Sequence, residues 1–316
     1  MLSANSSGLG SAAWDDLVTQ TGLHVTVRGT AGQDTIEVAP GDSHRLTING
    51  TSRDYAARAV ERVTILAEPG DTVILHDTPG DDTLTAGPGQ ARLDAAGLTI
   101  EAGGWGTLIV HAGSGGVDQA HLNDSPGDDR LVSRPEMTEL AGEGFLIRVE
   151  SFAYVHGYAR CGGDDLAELH GSAGDDLLVG RDSWSRLVGE GYANRAKFFR
   201  RVVAYAGGGS GVDHARLYDS AGDDYFYADP TQATLSGSAF SVQAVGFDSV
   251  TGYATSGGFD WAELVDSPGD DALWADPTQA ALFGSGYINR AMYFDAVHAY
   301  ARGGGNDLAN LHDSPG

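Results

Sequence analysis

Basic charge is the scarcest commodity in this sequence: 316 residues carry 19 Lys and Arg against 44 Asp and Glu, a formal net charge of −25, and Lys197 is the single lysine. Nucleic-acid phosphate and anionic membrane both require a basic surface, so neither is a default partner. Cysteine is nearly absent. Cys161 stands alone, which excludes an internal disulfide and any zinc site of the several-cysteine kind. No stretch approaches the roughly eighteen apolar residues of a membrane span, and the opening Met1-Leu-Ser-Ala-Asn-Ser-Ser7 lacks the charged start and apolar run of a secretory signal. No membrane insertion is expected, and an extracellular or cell-surface location would rest on something other than a signal in this sequence.

What is abundant is turn chemistry. Of the 44 acids, 33 are Asp, and Gly takes 46 places, a composition built from turns. A hydrophobic share of 41% is too high for a disordered acidic tail, so the chain can bury a core.

Self-similarity organises the rest. Asp77-Thr-Pro-Gly-Asp-Asp82, Asp124-Ser-Pro-Gly-Asp-Asp129, Gly171-Ser-Ala-Gly-Asp-Asp176, Asp219-Ser-Ala-Gly-Asp-Asp224 and Asp266-Ser-Pro-Gly-Asp-Asp271 recur at spacings of 47, 47, 48 and 47. A degenerate copy, Gly29-Thr-Ala-Gly-Gln-Asp34, precedes them, and a partial copy, Asp313-Ser-Pro-Gly316, follows. Six units, starting near 29, 77, 124, 171, 219 and 266, therefore fill residues 23–316 and leave 1–22 outside the array; the partial copy points to a piece of a longer one.

Each unit reads as four short strands. Asp271-Ala-Leu-Trp-Ala-Asp276 alternates, Ala281-Leu-Phe-Gly-Ser-Gly-Tyr287 is apolar, and two further strands lie around Tyr293–Ala301 and Asp307–Asp313. Residues 289–300 also fit a helical period, but the equivalent Gly106-Thr-Leu-Ile-Val-His111 is β-branched, which favours strand. The expected fold is an all-β solenoid, like a parallel β-helix, of about six 47-residue repeats; the alternative is a six-bladed β-propeller. In a solenoid, equivalent side chains stack, so Trp105, Phe152, Phe199, Phe247 and Phe294 would form one core ladder, and Phe145, Tyr192, Phe240 and Tyr287 another.

The same logic predicts acidic columns: Asp77, Asp124, Asp219 and Asp266 in one, Asp81, Asp128, Asp175, Asp223 and Asp270 in a second, Asp82, Asp129, Asp176, Asp224 and Asp271 in a third. Carboxylates one strand spacing apart, about 4.8 Å, repel by roughly 3.5 kcal/mol at an effective dielectric of about 20. Ca²⁺, a hard cation that takes oxygen ligands in irregular geometry, would offset that repulsion. A second acidic series, Asp71, Asp118, Asp165, Asp213, Asp260 and Asp307, follows the glycine-rich turns and brackets one strand with the Gly-Asp-Asp pair. From this series Asp213, Asp260 and Asp307 join the motif aspartates as candidate ligands. The competing account is turn chemistry alone, in which Asp accepts hydrogen bonds from its own following backbone; the doubled Asp is the feature it explains least.

Gly208-Gly-Ser-Gly-Val-Asp213-His-Ala-Arg216 resembles the glycine-rich nonapeptide of hemolysin-type, or RTX, calcium-binding repeats, which implies Ca²⁺ at the glycine turn and its Asp. Leu217–Tyr225 does not continue that nonapeptide, so the likeness does not imply a continuous β-roll. The whole 47-residue unit is similar to tandem Asp/Gly-rich arrays of large secreted or surface proteins of aquatic bacteria, which implies a location more than an activity.

No catalytic residues are assigned, because the paired acids recur in every unit whereas an active site is a unique set. The densest basic patch is Arg195, Lys197, Arg200 and Arg201, and the histidines lack the close pairs of a zinc site. The functional expectation is a non-catalytic extracellular module, a scaffold, spacer or adhesive stalk, stabilised by Ca²⁺. The alternative is a carbohydrate-binding or polysaccharide-degrading β-helix, with Trp261, Trp274, Tyr225 and Tyr227 in one exposed row; polysaccharide or cell-surface components would be its partners.

Overall fold

The computed structural model describes residues 11–313; the closing Ser314-Pro-Gly316 lies outside them. The chain divides into two compact bodies, one reaching to Asp129 and including Glu136–Gly163, the other made of Arg130–Pro135 and the chain from Asp164 onward. Both are β-solenoids.

Alternation builds the walls. In Thr72–His76 the side chains of Val73 and Leu75 are fully buried while their neighbours are half-exposed, and Thr107–His111, Leu166–His170 and Ser241–Val245 repeat the pattern. Each inward aliphatic side chain contributes about 1.5 to 3 kcal/mol of burial.

In the N-terminal body one sheet runs through Val18–Thr21, His24–Arg28, Arg62–Leu66, the meander Leu98–Gly103, Gln90–Ala95 and Thr83–Gly87, then Gln119–Asn123 and Tyr154–Tyr158. The other runs through the meander Thr51–Ala56, Ser43–Ile48 and Thr35–Ala39, then Thr72–His76, Thr107–His111, Phe145–Glu150 and Met137–Gly142. Strands of successive coils pair in parallel: Thr35 faces Thr72, which faces Thr107. Parallel pairing between coils excludes the propeller, whose blades are antiparallel meanders arranged around a channel.

Two expectations are corrected here. A unit holds five strands, because the stretch taken as a single strand at 281–287 is a hairpin of Gln279–Gly284 and Tyr287–Met292 turning at Gly286, φ +83°. Each unit also crosses the two sheets three times, as a three-stranded meander on one sheet, one strand on the other, and one strand back on the first. That is one and a half coils, so the next unit opens on the opposite sheet: the meander from Thr35 lies on one sheet of the N-terminal body and the meander from Thr83 on the other. The C-terminal body repeats this alternation with the meanders at Leu177–Lys197, Tyr225–Val245 and Ala272–Met292. Equivalent residues of successive units therefore do not stack.

The predicted aromatic ladders fall with that geometry, although the core reading survives. Trp105, Phe152, Phe199 and Phe247 are buried, as are Phe145, Tyr192, Phe240 and Tyr287. Rings that do stack are non-equivalent neighbours one coil apart, such as Tyr218 on Tyr253 at 4.7 Å and His76 on His111 at 5.0 Å. Residues 1–22, set apart from the array, contribute the short helix Ser11–Leu17, which buries Trp14 beneath the Arg53 guanidinium.

Candidate metal centre

The six-residue motif closes on itself. In Asp77–Asp82 the Thr78 N–H and hydroxyl donate to the Asp82 carboxylate at 2.7 and 2.9 Å, and Ser125, Ser220 and Ser267 do the same for Asp129, Asp224 and Asp271. The serine hydroxyl in turn accepts the N–H of the motif glycine, as in Gly127 on Ser125 at 3.1 Å.

The other acids reach across to the next coil. The first Asp caps the glycine-rich turn above it: Asp77 accepts from Ser114 N–H, Asp124 from Cys161, Asp219 from Thr255 and Ser256, Asp266 from Arg302 and Gly303. The exposed member of the doubled pair accepts one N–H more: Asp81 from Val117, Asp175 from Val212, Asp223 from Phe259, Asp270 from Asn306, each at 2.8 Å. Asp128 is likewise exposed on its turn. The doubled Asp thus has a structural explanation, since one carboxylate closes its own turn and its neighbour ties that turn to the next coil.

Glycine is required where these turns meet. Gly116 has φ +94° and Gly305 φ +97°, and a β-carbon on either would collide with the carbonyl oxygen of Gly80 or Gly269 in the turn beneath.

The predicted columns are replaced by a different ladder. The buried member of each pair meets the second acidic series: the Asp82 N–H donates to Asp118 at 2.8 Å, Asp34 to Asp71, Asp176 to Asp213, Asp224 to Asp260, and Asp271 to Asp307 at 3.0 Å. In the C-terminal body two ladders gain a third rung, where the Asp213 N–H donates to Asp248 at 2.7 Å and the Asp260 N–H to Asp295 at 2.8 Å. The bracketing expectation holds, because Asp118 and Asp124 lie at opposite ends of Gln119–Asn123.

Among the described residues, two places gather three carboxylates with oxygens within 4.8 Å of one another: Asp77, Asp82 and Asp118, all buried, and Asp266, Asp271 and Asp307, the last exposed. These groups can hold a metal ion. Burial pushes Asp118 up to about 6, reinforced by the charges of Asp77, Asp82 and Asp81 and opposed by the Asp82 N–H. Asp260 is raised to about 6 for the same leading reason, and burial also raises Asp82, Asp213 and Asp224. The ladders thus hold carboxylates that resist ionisation, and a cation would relieve them.

Two buried carboxylate oxygens, Asp124 Oδ1 and Asp224 Oδ1, have no hydrogen-bond partner. At the position equivalent to Asp224, Asp176 Oδ1 accepts the Tyr192 hydroxyl at 2.7 Å, and Asp271 Oδ1 that of Tyr287 at 2.8 Å. Phe240 replaces that tyrosine beside Asp224. Both tyrosine hydroxyls are pushed far up by burial and by the carboxylate they bond.

Sequence reasoning missed five ladder members. Asp34 stands in the degenerate copy and Asp71 and Asp118 in the second acidic series, none among the expected ligands, although Asp118 completes the buried triad. Asp248 and Asp295 went unread; their signal is that each directly follows an aligned aromatic, Phe247 and Phe294.

The other predicted groups are dispersed. Arg195 and Lys197 lie on Tyr192–Lys197 in one sheet, and Arg201 on Arg201–Tyr205 in the other. Tyr225 and Trp261 come together, ring centroids 5.1 Å apart, beside exposed Phe259, but Trp274 sits on the opposite sheet, so the proposed single aromatic row does not form. Histidines do pair at close range, between positions one coil apart, with His76 bonded to Glu37 and His111 to Glu150. No helix among the described residues is long and apolar enough to cross a membrane. No family model matches the chain, and neither a curated protein nor a solved structure matches it.

Proposed function

We propose that this chain is a non-catalytic repeat module whose acidic turns bind Ca²⁺, acting outside the cell as a stiff spacer, scaffold or adhesive stalk. The observation that carries the reading is the buried triad Asp77, Asp82 and Asp118, three carboxylates whose oxygens lie within 4.8 Å. At that separation each pair of ionised groups repels by roughly 3.5 kcal/mol at an effective dielectric of about 20. A hard divalent ion with flexible oxygen coordination suits the site. A site of about 0.1 to 1 mM affinity would fill in extracellular calcium, and binding to the folded state alone stabilises it by mass action. The motif acids also carry so many backbone N–H bonds, and recur so regularly, that a structural duty fits them better than acid–base chemistry.

The test is metal content by elemental analysis together with thermal melts in calcium and in chelator. Calcium should raise the midpoint by several degrees, and Asp118→Asn, which keeps an acceptor oxygen but removes a charge, should shrink that response while stabilising the metal-free protein. A midpoint indifferent to calcium and chelator, with no bound metal, refutes the reading.

A further inference from the structure

In a chain with 44 acids, one surface is almost free of them. The sheet of the C-terminal body built from Tyr192–Lys197, Trp184–Gly189, Leu177–Gly180, His214–Tyr218, Ser249–Tyr253, Tyr287–Met292, Gln279–Gly284, Ala272–Asp276 and Leu308–Leu311 contains one carboxylate, Asp276, in all its strands. Its register places Arg195 opposite Arg186, Arg186 opposite Val179, Val179 opposite Arg216, Arg216 opposite Thr251 and Thr251 opposite Arg290. These are one transverse row of outward positions. Arg186 and Arg216 are exposed, and Arg195 and Arg290 half-buried.

The row breaks a pattern kept in the first three units, and in the fifth unit the same position is neutral, Thr234 opposite Gln243. At the same cross-strand position Arg45 bonds Asp54 at 2.9 Å, Arg92 bonds Glu101 at 2.7 Å and Arg148 bonds Glu139 at 2.8 Å. Here the partners have become Arg186 with Arg195 and Ala281 with Arg290. Like charges directly opposite one another are destabilising. No carboxylate of the described residues lies within ion-pair distance of these four arginines, and the Nε atoms of Arg195 and Arg290 are buried without a hydrogen-bond partner.

Aromatic rings flank the row. Arg195 lies over Trp184 at 4.5 Å, Arg181 over Tyr218 at 4.1 Å, and Tyr218 stacks on Tyr253. Arg186, Arg216 and Arg290 stand on every second strand, about 9.6 Å apart for strands spaced at about 4.8 Å. An extended polysaccharide presents a charged group at comparable intervals once every two rings, whereas the phosphates of a nucleic-acid strand recur about every 3.4 Å along a duplex. Net charge opposes a long polyanion, yet its field is screened beyond about 8 Å at physiological ionic strength, so the row governs what binds at contact.

We infer that this face binds a linear acidic polysaccharide, laid across the strands with its carboxylate or sulfate groups on Arg186, Arg216 and Arg290 and its sugar rings against Trp184 and Tyr253, both faces of Tyr218 being covered by Arg181 and Tyr253. Guanidinium forks match both anions bidentately. The inference is independent of the calcium reading, since no aspartate of the ladders takes part.

Hexagalacturonate and a sulfated hexasaccharide should be titrated calorimetrically into the full chain in calcium, with neutral cellohexaose and a single-stranded hexanucleotide as comparisons. At least one acidic sugar should bind saturably, weaken with salt, and lose about a hundredfold or more in affinity in the Arg186→Gln, Arg216→Gln, Arg290→Gln variant, while Arg92→Gln leaves binding unchanged. Matching thermal melts establish that the variants fold; if the triple variant does not, Arg216→Gln alone, at an exposed site, should still cost about tenfold. Undiminished binding in the arginine variants assigns the contact to calcium bridges at the acidic turns and overturns the inference. So do equal binding of cellohexaose, tighter binding of the oligonucleotide, or no saturable binding of either acidic sugar.

Discussion

The meander that follows Asp82 and the one that follows Asp176 occupy the same place in their units, yet they treat charge in opposite ways. In the first, Arg92 bonds both Glu101 and Asp94; in the second, Arg186 faces Arg195. Beneath the second, Asp176 is clasped by Tyr192, where the first unit has Leu98. The ladders differ as well. The position above Asp118 is Ala153, whereas Asp248 stands above Asp213 and Asp295 above Asp260. Inward aliphatics and turn hydrogen bonds are repeated because the coil needs them; outward positions are unconstrained by the coil and diverge, so departures from the repeat are where a specific role is found.

The largest effect should come from features the two bodies share. Gly116→Ala and Gly258→Ala each place a β-carbon against backbone at a positive φ and should each cost about 3 kcal/mol, read by chemical denaturation. A wide disparity between them would break the equivalence of the turns.

Acidity should separate the bodies next. Asp118 and Asp260 hold a proton to about pH 6 when folded against an ordinary value of 3.8. The stability they contribute is complete below about pH 4 and is lost as pH rises through about 6, at about 1.4 kcal/mol per acid per pH unit within that window. The metal-free protein should therefore melt lower at pH 7.5 than at pH 5, and calcium should flatten the profile. Hydrogen exchange should show the greater loss in the C-terminal body, where Asp213, Asp224 and Asp260 are all raised; equal loss would mean the third rungs add nothing.

A smaller, sharper comparison lies within the C-terminal body. Phe240→Tyr offers a hydroxyl to the orphaned Asp224 Oδ1 and should stabilise by about 1 kcal/mol, while Tyr192→Phe, which removes the tyrosine hydroxyl from Asp176 Oδ1 and leaves that oxygen the Ser172 hydroxyl, should cost about 1 to 2 kcal/mol. Smallest of all, Arg195→Glu rebuilds the arrangement of Arg92 and Glu101 and should gain no more than about 1 kcal/mol while weakening acidic-sugar binding. A loss of stability there would show that the two hairpins are not interchangeable.

Much of the architecture was legible because period-two burial and a recurring six-residue turn leave little choice: alternating Val, Leu and Ala make strands, and the serine and aspartate of the motif close a local loop. The hairpin at 279–292 carries its signal in the sequence, Gly284-Ser-Gly286 at the turn, but the apolar residues on either side of it, Ala281–Phe283 and Tyr287, make the stretch read as one strand. The acidic clusters were half legible. Repetition identified the aspartates, but it paired Asp82 with Asp129 when its neighbour is Asp118, because an interval of 47 residues was equated with a whole number of coils.

Local chemistry along the chain thus determined the strands, the turns, the acidic rim and the absence of disulfides, for those depend on residues near one another in sequence. Which acid meets which, which arginines share a face and which carboxylate oxygens are left without a donor were decided only in three dimensions. The reason is geometric: one coil consumes about two thirds of a repeat, so each unit is turned to the opposite wall, and side chains identical in sequence face different neighbours.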